Sequence, residues 1–213
     1  MITVVSTGLL APTKQRCIDS VASQTHEHRH VYVEAGIQEP RLCALENFTN
    51  VVRTLDPKDI VVSLDGDDWF PDEKVLTKIA EVYADPNVWI TYGSFVFADG
   101  RPGFAAPYET DDIRKAPWQA THLKTFRAAL FHKLGDAELK RDGQYRDLAW
   151  DMATMFPMLE MAGVHARFLP DVLYVYNFGH SWEHNASREE REREARMNAE
   201  IRGLPRKERL TSL

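Results

Sequence analysis

Three short apolar runs rich in β-branched residues, Ile2–Ser6, His30–Glu34 and Asp59–Leu64, alternate with amphipathic stretches. No other feature restricts the fold as strongly. The stretch after Pro12 sets Cys17, Ile18, Val21 and Ala22 on one helical face. Arg41–Leu55 does the same with Leu42, Leu45, Phe48, Val52 and Leu55. Pro71 is expected to open a third helix carrying Val75, Ile79 and Val82. Strands alternating with helices predict an α/β fold, a mostly parallel central sheet flanked by helices. Ligands of such sheets bind beyond the carboxyl ends of the strands. Thr7, Glu34 and Asp65–Asp68 each follow a predicted strand end, so all three segments converge on one site.

Further along, Val88–Ala98 alternates and is aromatic-rich, which predicts one or two strands. Residues 99–117 are rich in Gly, Pro and Asp and read as a loop. Thr121–Leu134 reads as a helix. So does Asp147–Ala162, where Leu148, Met152, Met155 and Leu159 are spaced by four, three and four. Val164–Leu169 and Val172–Phe178 are expected to close the body as strands. The remaining methionines of that helix, Met158 and Met161, are read with Met152 and Met155 as core.

A chain of 213 residues suits one large domain, or a domain with an extension. Residues 186–213 carry a net charge of +2 against −6 for the whole chain, so the body is acidic. An acidic body argues against a broad nucleic-acid footprint. The tail mixes both signs at helical spacing and is expected to form a charged helix, solvated or touching an adjoining domain or a second copy of the chain. Cys17 and Cys43 fit no metal or disulfide spacing, which predicts a reducing compartment. No apolar run reaches the length of a membrane span and no basic segment precedes the apolar start, so the expected location is the cytoplasm.

The sharpest chemical signal is Asp65-Gly66-Asp67-Asp68, directly behind the third predicted strand. Three carboxylates in four residues repel one another and call for a cation or hydrogen bonds. Carboxylates without His or Cys select hard ions such as Mg²⁺ or Mn²⁺, which keep water and take phosphate oxygens. The plainer alternative is an acidic turn that caps the following helix. Asp151, expected in the first turn of its helix where negative charge is favoured, borders the apolar stripe, where an unpaired acid is costly. Asp147, four residues earlier, looks more like the N-cap.

With these elements in order, residues 2–185 resemble the GT-A glycosyltransferases of family 2. CIDSVASQTHEHRHVYVEAG resembles that family's first helix and second strand, with its turn residues at Ser20, Gln24 and Thr25. IVVSLDGDDWFPDEKV resembles its D-x-D strand end, LAWDMATMFPMLEMAG the helix bearing the base, and DVLYVYNFGHSWEHN the closing His-bearing loop. The resemblance implies a single GT-A (Rossmann-like) domain over 1–185, its nucleotide-sugar-binding half 1–98 and its acceptor and catalytic half 99–185, followed by the charged helical extension 186–213. Thr7 and Glu34 would meet the base and ribose, with Glu34 standing where Asp is usual. Asp65 would reach the ribose or uracil side. Asp67, with Asp68 and His180, would hold Mn²⁺ or Mg²⁺. His122, Lys124 and Arg127 would grip phosphate or acceptor, and Trp182 and His184 lie in the same closing loop. The implied reaction is inverting transfer from a nucleotide-diphosphate sugar, UDP-linked, to a hydroxyl of a glycan or glycoconjugate, with Asp151 as base. His26, His28 and His30 match that family's variable turn and are not read as a metal site.

Two other classes compete. A sugar nucleotidyltransferase needs a Gly-rich, basic loop after the first strand, and STGLLAPTKQR is a poor version of one. A non-catalytic glycan- or partner-binding domain needs neither the acidic cluster nor Asp151. The phosphatase that also uses D-x-D is disfavoured by Trp69, and no dinucleotide or P-loop glycine pattern occurs.

Overall fold

The computed structural model describes residues 1–8, 13–34, 43–180 and 186–213, without the side chain of His180. Arg41 and Leu42 of the second predicted helix, and Trp182 and His184, lie outside the described residues. Strand β1 (Ile2–Gly8) is buried along nearly its whole length, as an interior strand covered on both faces must be. It pairs in parallel with β2 (Arg29–Glu34) on one side and β3 (Ile60–Asp65) on the other. Helix α1 (Lys14–Ala22) lays Cys17 and Val21 on the sheet. Helix α2 (Ala44–Val52) buries Leu45, Phe48 and Val52, and α3 (Val75–Tyr83) buries Val75, Leu76 and Ile79. Pro71 begins a turn, and the helix starts only at Val75.

Val88–Ala98 contributes a single strand, β4 (Ile90–Phe97). The predicted helix 121–134 is instead a strand, β5 (Lys124–Arg127), followed by one helical turn, α4 (Ala128–Phe131). β5 inserts antiparallel between β3 and β4, so the six-stranded order is β2-β1-β3-β5-β4 and then the last strand of the chain, Ala166–Tyr176. A short helix α5 (Asp136–Leu139) and a two-residue hairpin of β6 (Lys140–Arg141) and β7 (Gln144–Tyr145) lead to α6 (Trp150–Ala162). Asp147 does not cap α6. Ala149 holds the N-cap position with φ +52°, and Asp147 pairs with Arg193 at 2.7 Å. The two predicted closing strands are one, β8 (Ala166–Tyr176), parallel to β4 with register shifts around Pro170.

Two apolar layers enclose the sheet. One gathers Phe48, Phe126, Phe131, Met155 and Phe156, and the other Val21, Leu64, Leu76, Ile79 and Tyr174. The charged tail forms α7 (Arg188–Gly203), opened by a capping box between Ser187 and Glu190. Its Met197 and Ile201 are buried in the first of these layers. The mixed α/β fold thus has a six-stranded sheet between helices, and among the described residues no helix is long and apolar enough to cross a membrane.

Candidate active site

The parallel register of β1, β2 and β3 sets Thr7 beside Asp65 and Gly8 beside Glu34. Three of the predicted residues therefore share one edge of the sheet. The strand ends approach closely there. A Cβ on Gly66 would lie 2.5 Å from the Tyr32 hydroxyl and 2.9 Å from the Gly8 Cα, so only glycine fits. The Gly66 amide donates to the Thr7 carbonyl at 3.0 Å, and Tyr32 donates to the Gly66 carbonyl at 3.2 Å. Glu34 is ion-paired with Lys14, whose ammonium lies 5.1 Å from the Tyr32 ring centroid.

The acidic turn is clamped from two sides. Behind it, Ser20 accepts the Phe70 amide at 3.1 Å, and Gln24 bridges the Asp72 carbonyl at 2.6 Å and the Leu76 amide at 3.0 Å. Thr25 donates its amide to the Glu73 carbonyl at 2.9 Å. In front, the end of β8 closes over it. Asp68 is fully buried and takes the Asn177 amide at 2.7 Å on one oxygen and the Tyr174 hydroxyl on the other. Asn177 also donates its side-chain amide to the Asp67 carbonyl at 3.2 Å. Burial, then the charges of Asp65 and Asp67, hold the Asp68 carboxyl well above the usual carboxylate range. Burial likewise raises the Tyr174 phenol.

Of the two predicted metal carboxylates, Asp67 remains half-buried at the mouth, as does Asp65, the predicted nucleoside contact, while both oxygens of Asp68 are engaged inside. His180 sits in a short helical turn, Phe178–His180, that follows β8. Among the described residues, no group of three or more His, Cys, Asp and Glu side chains gathers to hold a metal by itself. Asp65 and Asp67 nonetheless offer the hard oxygen donors that suit Mg²⁺ or Mn²⁺ sharing its shell with water and a diphosphate.

Because β5 runs antiparallel, its beginning lies beside the end of β3, where Lys124 pairs with Ser63. His122 precedes it and stacks on Tyr174 and Tyr176 at 4.3 and 5.2 Å between centroids. Its Nδ1 is 4.0 Å from Asp65 Oδ2. Burial, then the charge of Lys124, holds this imidazole well below its usual range, and hence neutral. Lys124 itself is buried, with its ammonium 5.3 Å from the Trp150 ring. Trp150 opens α6, so Lys124 lies against the helix end that carries Asp151. Asp151 is half-buried in the first turn of α6 and accepts the Met152 amide at 2.8 Å.

Arg127 does not join the site. It pairs with Ile60 at the start of β3, five residues and roughly 17 Å from Asp65 along the strand. Its guanidinium is spent on the carbonyls of Val88, Tyr83 and Asp85. The roles of Tyr174, Asn177 and Tyr32 were missed in the sequence. The only signal was the Tyr-rich run Tyr174–Asn177 in the closing segment.

No known family profile matches the chain, and no curated protein matches it in sequence. Its fold does match solved structures. TarS from S. aureus aligns with a TM-score of 0.60 at 14% identity, covering 83% of this chain and 36% of that one. TarS residues 1–349 in complex with UDP-GlcNAc gives 0.56 at 12% identity, covering 94% and 66%. The mannosyltransferase PcManGT from Pyrobaculum calidifontis, in complex with GDP-Man and Mn²⁺, gives 0.52 at 17% identity, covering 83% and 56%. The chain therefore spans between about a third and two thirds of the length of the chains it matches. What the match establishes is the fold, a GT-A-like glycosyltransferase fold.

Proposed function

We propose that the chain is a glycosyltransferase that moves a sugar from a nucleotide-diphosphate donor to a hydroxyl acceptor. The observation that carries this reading is the shared edge of Thr7, Glu34 and Asp65, with Asp67 in the turn that follows. The nucleotides bound by TarS and PcManGT support it, since both occupy the same fold. Thr7, Glu34 and Asp65 receive the nucleoside at the ends of β1, β2 and β3. The close approach of Gly8 and Gly66 lets Tyr32 pack across the strand ends and fixes the edge on which these residues sit. Asp67, beside the nucleoside-facing Asp65, would hold a divalent cation, Mn²⁺ or Mg²⁺, which would supply charge neutralisation to the departing diphosphate. Asp68 is assigned a framing role and not a ligand role, because both of its oxygens are already used.

Asp151 takes the proton of the acceptor hydroxyl, at the helix end where negative charge is favoured. The acceptor oxygen forms its bond to the anomeric carbon as the bond to the diphosphate breaks on the opposite face, which inverts configuration. A UDP-sugar is the first donor to try, and a glycan or glycoconjugate the first acceptor.

Calorimetric titration with UDP, GDP and dTDP, with and without Mn²⁺, tests this. One nucleotide is expected to bind in a metal-dependent manner, and Asp67→Ala to abolish that binding. Asp151→Asn should bind equally well and lose turnover. Absence of binding by all three nucleotides in the presence of metal would refute the reading.

A further inference from the structure

We propose that His122 is a positioning residue for Asp65, its Nδ1–H holding the Asp65 carboxylate in the orientation that receives the donor's nucleoside. The inference deepens the donor-site reading and rests on it. The His122 ring is fixed on three sides. It lies nearly parallel to Tyr174 and Tyr176, at interplanar angles of 16° and 21°, and meets the Phe95 ring edge-on at 5.4 Å. Stacking of this kind sets the plane of the ring and therefore the direction of its nitrogens. Nδ1 is buried and has no hydrogen-bond partner. A buried polar nitrogen without a partner is costly, so its place beside a carboxylate oxygen 4.0 Å away is informative. An approach of about 1 Å makes that separation an ordinary hydrogen bond. The Asp65 side chain, 30% exposed, has room to make that approach.

The competing donor is already committed. Tyr174 lies 3.3 Å from the same Asp65 oxygen, but its hydroxyl has one proton and sits closer to Asp68. The Tyr174 oxygen meanwhile accepts the Asp65 amide at 3.3 Å. Tyr174 therefore fixes the backbone of Asp65 and the buried Asp68, which leaves the carboxylate of Asp65 to His122. The sequence reading gave His122 a direct grip on phosphate or acceptor. The geometry gives it an indirect one, through Asp65.

The test compares three variants of the full chain by calorimetry with the nucleoside diphosphate that the wild type binds, in the presence of Mn²⁺. His122→Phe keeps the stack and removes the nitrogen, and should weaken binding about tenfold, as expected for losing one charge-assisted hydrogen bond. His122→Asn places an amide N–H where Nδ1 stood and should restore most of the affinity. His122→Gln reaches toward Nε2 and should not. Equal binding by His122→Phe and wild type, or Asn no better than Gln, would overturn the proposal. Long-range ¹⁵N NMR of the ligand-free wild type supplies a second readout that needs no nucleotide. A neutral ring protonated at Nδ1 is expected, and one protonated at Nε2 would overturn the Asp65 contact. If wild type binds no nucleotide, the donor-site reading falls, and the tautomer still decides the His122–Asp65 pairing.

Discussion

Replacing Arg114 with methionine asks what holds the carboxyl-terminal helix against the body. Arg114 grips Glu160 with two parallel bonds, Nε to Oε1 at 2.6 Å and Nη2 to Oε2 at 2.9 Å. Both side chains are buried, 5% and 2% exposed. The remaining nitrogen donates to the Ile201 carbonyl of α7 at 2.5 Å. Methionine keeps most of the volume and removes every donor. Glu160 would then retain the Lys207 amide at 3.0 Å and the half-exposed Arg206, whose Nε is 3.7 Å away. Stranding one member of a buried ion pair costs about 3–5 kcal/mol. The two surviving contacts argue for the lower end, about 3 kcal/mol. In a chain of this length each kcal/mol shifts the melting temperature by about 2–4 °C, so a fall of about 6–12 °C is expected. Urea denaturation followed by circular dichroism gives the free energy directly. Cleavage in the Arg206–Arg209 segment by trypsin should accelerate in parallel, because α7 loses its anchor at Ile201. The double variant Arg114→Met/Glu160→Leu removes the stranded charge and should recover most of the loss. A loss below about 1 kcal/mol in the single variant, or a double variant no more stable than the single, would refute the reasoning.

Asp68→Asn should keep both bonds of the buried group, its carbonyl accepting the Asn177 amide and its amide donating to Tyr174. Stability should change by no more than about 1 kcal/mol, and metal-dependent nucleotide binding should persist; loss of binding would return Asp68 to the metal shell. His30 supplies a pH dependence. Burial, then the charge of His28, lowers its pKa from 6.5 to about 4. Between those values the unfolded chain binds the extra proton, so stability is full above pH 6.5 and falls as the pH drops toward 4. The residue is partly exposed, so the slope should be a fraction of the ~1.4 kcal/mol per pH unit that one full proton gives. Melting temperatures of wild type and His30→Gln across that range check it: the variant's profile should be flatter, and parallel profiles would clear His30 of the effect.

The first half of the chain was legible because its signals are local. β1 and β3 are rich in β-branched apolar residues, and the acidic turn stands where β3 must stop. β5 was not legible. Leu123, Phe126 and Leu130 recur at helical spacing, and nothing in THLKTFRAALF announces that the segment enters an existing sheet. Tertiary pairing decides it: Lys124–Arg127 satisfies β3 on one side and β4 on the other. Thr125 is fully buried there within a chain of hydroxyls, 2.6 Å from Thr91 and 3.0 Å from Tyr83. Reading that strand as a helix also misplaced Arg127. A helix would have kept it near His122, whereas an antiparallel strand carries it to the far end of the sheet. The tail's mixed charges concealed its anchorage in the same way, because only Met197 and Ile201 turn inward.

The acidic turn shows why a motif of like charges can be read for chemistry yet not divided among its members. D-G-D-D states that three carboxylates must share a small volume, and repulsion makes that untenable if all three stay charged and exposed. The fold resolves it by sending one of them inside. Tyr174 and Asn177 arrive from more than a hundred residues away to donate to the two oxygens of Asp68 and so replace the water it gives up. Which Asp turns inward depends on where β8 ends, a fact that no local pattern contains. What remains at the mouth is two carboxylates, Asp65 and Asp67, in one turn pinned by Gln24 behind and Asn177 in front. Under the proposed function, two charges would be enough to attract a divalent cation and too few to complete its shell without the donor's oxygens.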